Sequence, residues 1–189
     1  MKATPAAMAA SILRHNPVFL DTETTGLGVN DEVCEISIID QDGSTLLDTL
    51  VRPTFPIHPS VTAIHGISQA MVETAPSFPE ILPKLHEVLK NRTLVVYNLE
   101  YDLRMLHQSA AAHHLQFSSP HFLSWCAMKL YAEYWGEWSD YRQDYKWQRL
   151  GDAMRQQGIK FDGILHRALA DTQVTRLLMI KMAGGDGSV

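Results

Sequence analysis

Between Pro17 and Val51 the apolar residues come in short runs broken by turn-forming residues, the pattern of β-strands. Pro17-Val18-Phe19-Leu20-Asp21 predicts a buried strand that enters a loop at Thr24-Thr25-Gly26. Val33 to Asp40 predicts a second, with Cys34, Ile36 and Ile38 on one face and Val33 and Ile39 on the other. Thr45–Val51 follows the Asp42-Gly43 turn and makes a hairpin with it. Pro53, Pro56 and Pro59 then call for an extended connection. After them the period lengthens. Ser77 to Lys90 fits a helix with Pro79 in its first turn, followed by a short apolar strand at Thr93–Tyr97. Leu99, Leu103, Leu106 and Ala110 recur at helical spacing. His121–Cys126 reads as a short strand, Cys126–Tyr134 as a helix and Trp135–Asp144 as a polar, aromatic-rich loop. Lys146–Gln157 predicts a helix ending at Gly158, and Ala168–Ala183 a last one with Ala170, Val174, Leu177 and Leu178 as its stripe. A strand meander followed by strand–helix alternation predicts an α/β fold, a mixed sheet covered by helices.

The length of 189 residues gives one domain with its own core, and 46% hydrophobic with 20% charged residues excludes disorder and coiled coils. Residues 1–16 are expected to be an N-terminal extension, helical or frayed, residues 17–183 the domain and residues 184–189 a flexible tail, with both ends loosely held. The Ala-rich start is not expected to be a secretory signal, because Ala6–Leu13 is short and Arg14-His15-Asn16 offers no small-residue cleavage site. No run reaches the ~18–20 apolar residues of a membrane span. Sixteen Lys and Arg against twenty-one Asp and Glu, a formal charge of −5, exclude a basic coat for polyanions. A nucleic-acid site would have to be a local patch or a metal-lined cleft. Two cysteines, Cys34 and Cys126, form neither a metal motif nor a disulfide framework, and a reducing cytoplasm is expected.

Four acids stand out by position. Asp21 and Glu23 are two apart at the end of the first strand, so both side chains share one face. Adjacent carboxylates repel unless a cation lies between them or one is protonated, and oxygen-only donors suit Mg²⁺ or Mn²⁺ rather than zinc. On helices, Asp102 lies about 40° from Leu106 and Asp171 about 20° from Leu178, beside core-facing stripes where a carboxylate needs a cation or a donor. Arg104, Arg167 and Arg176 are alternative partners. His166 precedes Asp171 by five residues, which on a helix would set the two about 140° apart. The two can share a site only if His166 sits in the loop before the helix, and Gly163 favours a loop there. Histidine is the side chain suited to exchanging protons near neutral pH.

These residues fall in three segments, Phe-Leu-Asp-Thr-Glu-Thr-Thr-Gly-Leu (19–27), Tyr-Asn-Leu-Glu-Tyr-Asp-Leu-Arg-Met-Leu (97–106) and His-Arg-Ala-Leu-Ala-Asp-Thr (166–172). Together they resemble the three motifs of the DEDD exonuclease superfamily. The chain is most similar to its DnaQ-like proofreading members of the DEDDh class, since His166 stands five residues before the last Asp. Ile64-His65-Gly66-Ile67-Ser68 resembles a further segment of that class. The resemblance implies a ribonuclease H-like fold with a mixed five-stranded sheet flanked by helices. It implies metal-dependent 3′→5′ hydrolysis of single-stranded or frayed DNA ends, releasing nucleoside 5′-monophosphates. By the same resemblance Asp21, Glu23 and Asp171 would hold one Mg²⁺, Asp21 and, directly or through water, Asp102 a second, with Mn²⁺ as substitute, and His166 would be the general base. Thr24, Gly26 and Leu27 would lie against the 3′-terminal nucleotide, Asn98 would order the site and His65 would touch the substrate strand. RNA ends remain an alternative substrate, and a polymerase-associated module without catalysis is the reading from another class. A polymerase or another nucleic-acid-processing protein is the partner this leaves open, and no membrane is expected.

The segment from Tyr131 to Trp147 departs from the family. It carries Tyr131, Tyr134, Trp135, Trp138, Tyr141, Tyr145 and Trp147 with Arg142, Lys146 and Arg149 among or beside them. Rings among basic residues suit stacking on single-stranded bases, while roofing the core is the equal alternative.

Overall fold

The computed structural model describes residues 3–118 and 123–185. Strands β1 (Val18–Thr24), β2 (Val33–Ile39), β3 (Thr45–Leu50), β4 (Thr93–Val96) and β5 (Leu123–Cys126) form one sheet in the order β3-β2-β1-β4-β5. β1, β2 and β3 are an antiparallel meander, and β4 and β5 run parallel to β1. The mixed five-stranded sheet flanked by helices is the expected one. β1 is central, so its last residues emerge where antiparallel pairing on one side gives way to parallel pairing on the other.

Side-chain alternation along β1 decides what meets what. Val18 and Leu20 point, with Ile36, Ile38, Leu94 and Val96, to a core closed by α4 (Phe78–Leu89) and α5 (Leu99–Ala112) through Leu85, Leu89, Met105 and Leu106. Phe19 points the other way, with Ile39 and Val95, to a second core under α1 (Pro5–Leu13), α6 (Ala127–Trp135), α7 (Leu150–Gln156) and α8 (Ala168–Met182). Asp21 and Glu23 share the parity of Phe19 and so face α8, while Thr22 faces α5.

The structure corrects several expectations. The proline-rich connection gives way at Pro59, the first residue of α2 (Pro59–His65), followed by α3 (Gln69–Val72). Pro at that position loses no hydrogen bond, and Gly66 ends α2 in the left-handed region at φ 74°. Val61, Ile67 and Val72 bury with Cys34 and Ile57 in a small satellite core. The expected loop after α6 contains a short hairpin, β6 (Trp138–Ser139) paired with β7 (Asp144–Tyr145). Residues 146–149 belong to neither helix nor strand, and α7 begins only at Leu150, after an extended Arg149. The N-terminal extension takes the helical form and is not loosely held from Thr4 onward: Thr4 caps α1 by accepting the Ala7 amide, and Ala9 and Ile12 are buried against α6 and α8. Residues 121 and 122 of the expected fifth strand and 186–189 of the expected tail lie outside the described residues. Among the described residues no helix is long and apolar enough to cross a membrane.

Candidate active site

Asp21 and Glu23 end β1 half-buried, facing the first turn of α8, where Asp171 stands. Each of the three offers a carboxylate oxygen within 4.8 Å of the others. Asp102, buried in the first turn of α5, is held from the strand between them: its Oδ1 accepts the Thr22 amide at 3.0 Å and the Thr22 hydroxyl at 2.6 Å. The four acids share a cleft of about 160 Å³ with Asn98, Tyr101, Leu150 and His166. The arginines that could have capped these acids are engaged elsewhere: Arg104 on the Gly28 carbonyl, Arg167 on Glu35 and Arg176 on the Gln41 carbonyl.

Burial and crowding shift all four upward. Burial first, then Asp102, Asp171 and Glu23, hold the Asp21 carboxyl well above the usual carboxylate range. Burial and the neighbouring Asp171 push Glu23 up to about 8. Burial pushes Asp102 to about 7 against the pull of the two Thr22 hydrogen bonds. Asp171 is also raised by burial, opposed by the His166 amide. Among the described residues no Lys or Arg pairs with Asp21, Glu23 or Asp171. Converging oxygen donors that burden one another and lack a protein cation fit a hard divalent ion.

His166 lies outside α8, as sharing a site with Asp171 requires. Its backbone is left-handed at φ 67°, and its amide donates to Asp171 Oδ1 at 3.1 Å. That bond folds the residue back over the helix start, with the exposed imidazole at the cleft mouth. A clamp that the motifs did not reveal fixes this start. Glu35, paired with Glu23 across β1 and β2 and only 4% exposed, accepts the Arg167 Nε at 3.0 Å, its Nη2, and the Ala168 amide at 2.9 Å. An acid inside the apolar run Val33-Cys34-Glu35-Ile36 was the available signal, since a buried carboxylate needs donors.

Thr24 ends β1, and Gly26 and Leu27 lie in the turn that follows it. The Thr24 hydroxyl donates to the Gly26 carbonyl at 2.9 Å and shares a 2.6 Å hydrogen bond with the Tyr101 hydroxyl, a residue the sequence reading passed over. A Cβ on Gly26 would stand 2.6 Å from Asp31 Oδ2, so only glycine leaves room for the Asp31 carboxylate that ties Thr25 and Gly28. Leu27 is 72% exposed beside the cleft turn. His65, expected to touch a strand, is instead buried: its Nδ1 accepts the Ile67 amide, which leaves Nε2–H to donate to the Thr24 carbonyl at 3.2 Å. It braces the turn from behind. Asn98 caps α5 in position and lines the cleft. The aromatic segment divides: Tyr131 is fully buried and stacks on Tyr134 and Trp135, whereas Trp138, Tyr141 and Trp147 are exposed, with the Arg142 guanidinium over Trp147.

With this geometry in place, residues 18–179 match the RNase T-type exonuclease family model. The chain belongs to this exonuclease family. The DnaQ-like resemblance read from its motifs is therefore borne out. Among its relatives, the exonuclease CP81 of Escherichia phage 186 is 41% identical over 187 residues, covering 97% of this chain and 96% of that protein. A DNA polymerase III subunit epsilon-like protein of Rhodobacter capsulatus is 30% identical over 172 residues, but this chain spans only 23% of its length. Among solved structures, Exonuclease X in complex with 5′ overhanging duplex DNA aligns with a TM-score of 0.68 at 27% identity, covering 91% of this chain and 93% of that one. The family supplies exonucleolytic hydrolysis, and the acidic cluster supplies donors for the divalent metal such chemistry uses.

Proposed function

We propose that the protein is a 3′→5′ exodeoxyribonuclease that removes nucleoside 5′-monophosphates from single-stranded or frayed DNA ends. The observation that carries this reading is the meeting of Asp21, Glu23 and Asp171 within 4.8 Å, with Asp102 held alongside by Thr22 and His166 at the mouth of the same cleft. Asp21, Glu23 and Asp171 would hold one Mg²⁺ or Mn²⁺, and Asp21 with Asp102 a second. When bound, such ions neutralise the phosphodiester's charge and acidify water. His166 takes the proton of the attacking water as its oxygen bonds to phosphorus. The bond to the 3′-oxygen breaks, and that oxygen gains a proton as the shortened strand leaves. The Thr24–Leu27 turn, braced by His65 and Tyr101, receives the terminal nucleotide, with exposed Leu27 offering apolar surface to its base.

DNA is favoured over RNA by the duplex DNA bound in the Exonuclease X structure. The epsilon-like relative makes a polymerase a fitting partner. The test is degradation of matched DNA and RNA oligonucleotides, labelled at either end, with Mg²⁺ or with chelator. Mononucleotide release from the 3′ end of DNA, abolished by chelator, is expected. Release from the 5′ end, or undiminished release in chelator, would overturn the reading.

A further inference from the structure

Beside the acidic cleft lies a larger cavity of about 340 Å³, in which Arg149 and Arg155 stand with Asp152, Asp171, Leu165 and His166. That volume sits at the lower end of the ~300–1,000 Å³ usual for small-molecule sites. It adjoins the cleft: Leu150, His166 and Asp171 line both. The cleft's other end carries Tyr101, bonded to Thr24 and Gly26 of the turn. A strand whose last nucleotide lies against that turn can leave across Leu150 and His166, toward this cavity.

Two cations and two carboxylates line it, and among the described residues one of the cations is left without a partner. Arg155 is neutralised by Asp152 one helical turn away. Arg149 is exposed, and among the described residues no hydrogen bond or ion pair engages its guanidinium. Gly151 keeps the space open: a Cβ there would stand 3.2 Å from Leu165 Cδ1 and 3.6 Å from Arg155 Nη1. We infer that this cavity is an upstream subsite, in which Arg149 binds the backbone phosphate one nucleotide 5′ of the reacting one. A guanidinium matches a phosphate's paired oxygens, and next to four carboxylates it offers the polyanion a positive foothold.

This inference rests on the exonuclease reading proposed above, and the experiment separates the two. The dinucleotide dApdA has no phosphate 5′ of its scissile bond, whereas its 5′-phosphorylated form does. The parent protein with Mg²⁺ should prefer the phosphorylated form by about tenfold in kcat/KM, and Arg149→Ala should reduce that preference to within about twofold of unity. Arg149→Lys should keep part of it, and Arg14→Ala, on the C-terminal side of α1, all of it. With an octanucleotide, the log–log fall of kcat/KM with salt should be shallower by about 0.7 in Arg149→Ala, the share of one phosphate contact on a single strand. An unchanged preference in Arg149→Ala, or an equal loss on both dinucleotides, would overturn the subsite. Failure of the parent protein to cleave any of these substrates would bring down the exonuclease reading, and the subsite with it.

Discussion

At the scale of single residues, the site is built from repulsion that the fold does not relieve by itself. Asp21, Glu23, Asp102 and Asp171 are all raised by burial, and the Thr22 pair and the His166 amide offset only part of this. Asp171→Asn removes one repelling charge and one cation donor together. It should abolish mononucleotide release while the melting temperature in chelator stays level or rises; a variant with parental turnover would break the metal assignment. His166→Ala should cost ~10²–10⁴-fold in kcat with substrate affinity retained, as for loss of a general base. A pH–rate profile of the same shape in this variant would assign the proton transfer to another group.

At the scale of elements, the Glu35 clamp ties the start of α8 to β2 and so sets where Asp171 and His166 stand. Glu35→Ala strands a guanidinium and an amide, but Arg167 is 44% exposed and can rehydrate, so the cost should be ~1–3 kcal/mol. Urea denaturation measures this, and Glu35→Gln, which keeps an acceptor, should recover part of it. The elements themselves were legible where one period ran unbroken. β1 and β2 read directly from their apolar runs, and α8 from its stripe. Asp21 and Glu23 were legible as a pair because strand parity needs no tertiary knowledge. The loop position of His166 followed from helix geometry once Asp171 was placed. What the sequence concealed depends on partners far along the chain. α2 hid among prolines because Pro59 starts a helix that leans on Cys34, and the inward bracing of His65 requires the Thr24 carbonyl. α7 was read too early because β7 draws residues 144 and 145 into a hairpin first.

At the scale of the molecule, the raised acids make stability depend on pH in a fixed direction. Glu23 titrates from 4.5 when unfolded to about 8 in the fold, so between these values the folded chain holds a proton that the unfolded chain has released. Its stabilising contribution is complete below pH 4.5 and is lost as pH rises through 8, and Asp102, moving from 3.8 to about 7, adds to the same trend. In chelator the melting temperature should therefore fall from pH 5.5 to 8.5, apart from changes elsewhere in the chain, and Mg²⁺ should restore it most at the alkaline end. A Mg²⁺ benefit that is flat across that range would contradict it. The opening helix has a further consequence. α1 packs on α8, whose first turn carries Asp171, so the opening helix backs the element that presents one of the four clustered acids. Hybrids that splice relatives at the first motif would strip α1 and uncover the part of the second core that Ala9 and Ile12 now close; crossovers placed ahead of Thr4 would keep it sheathed.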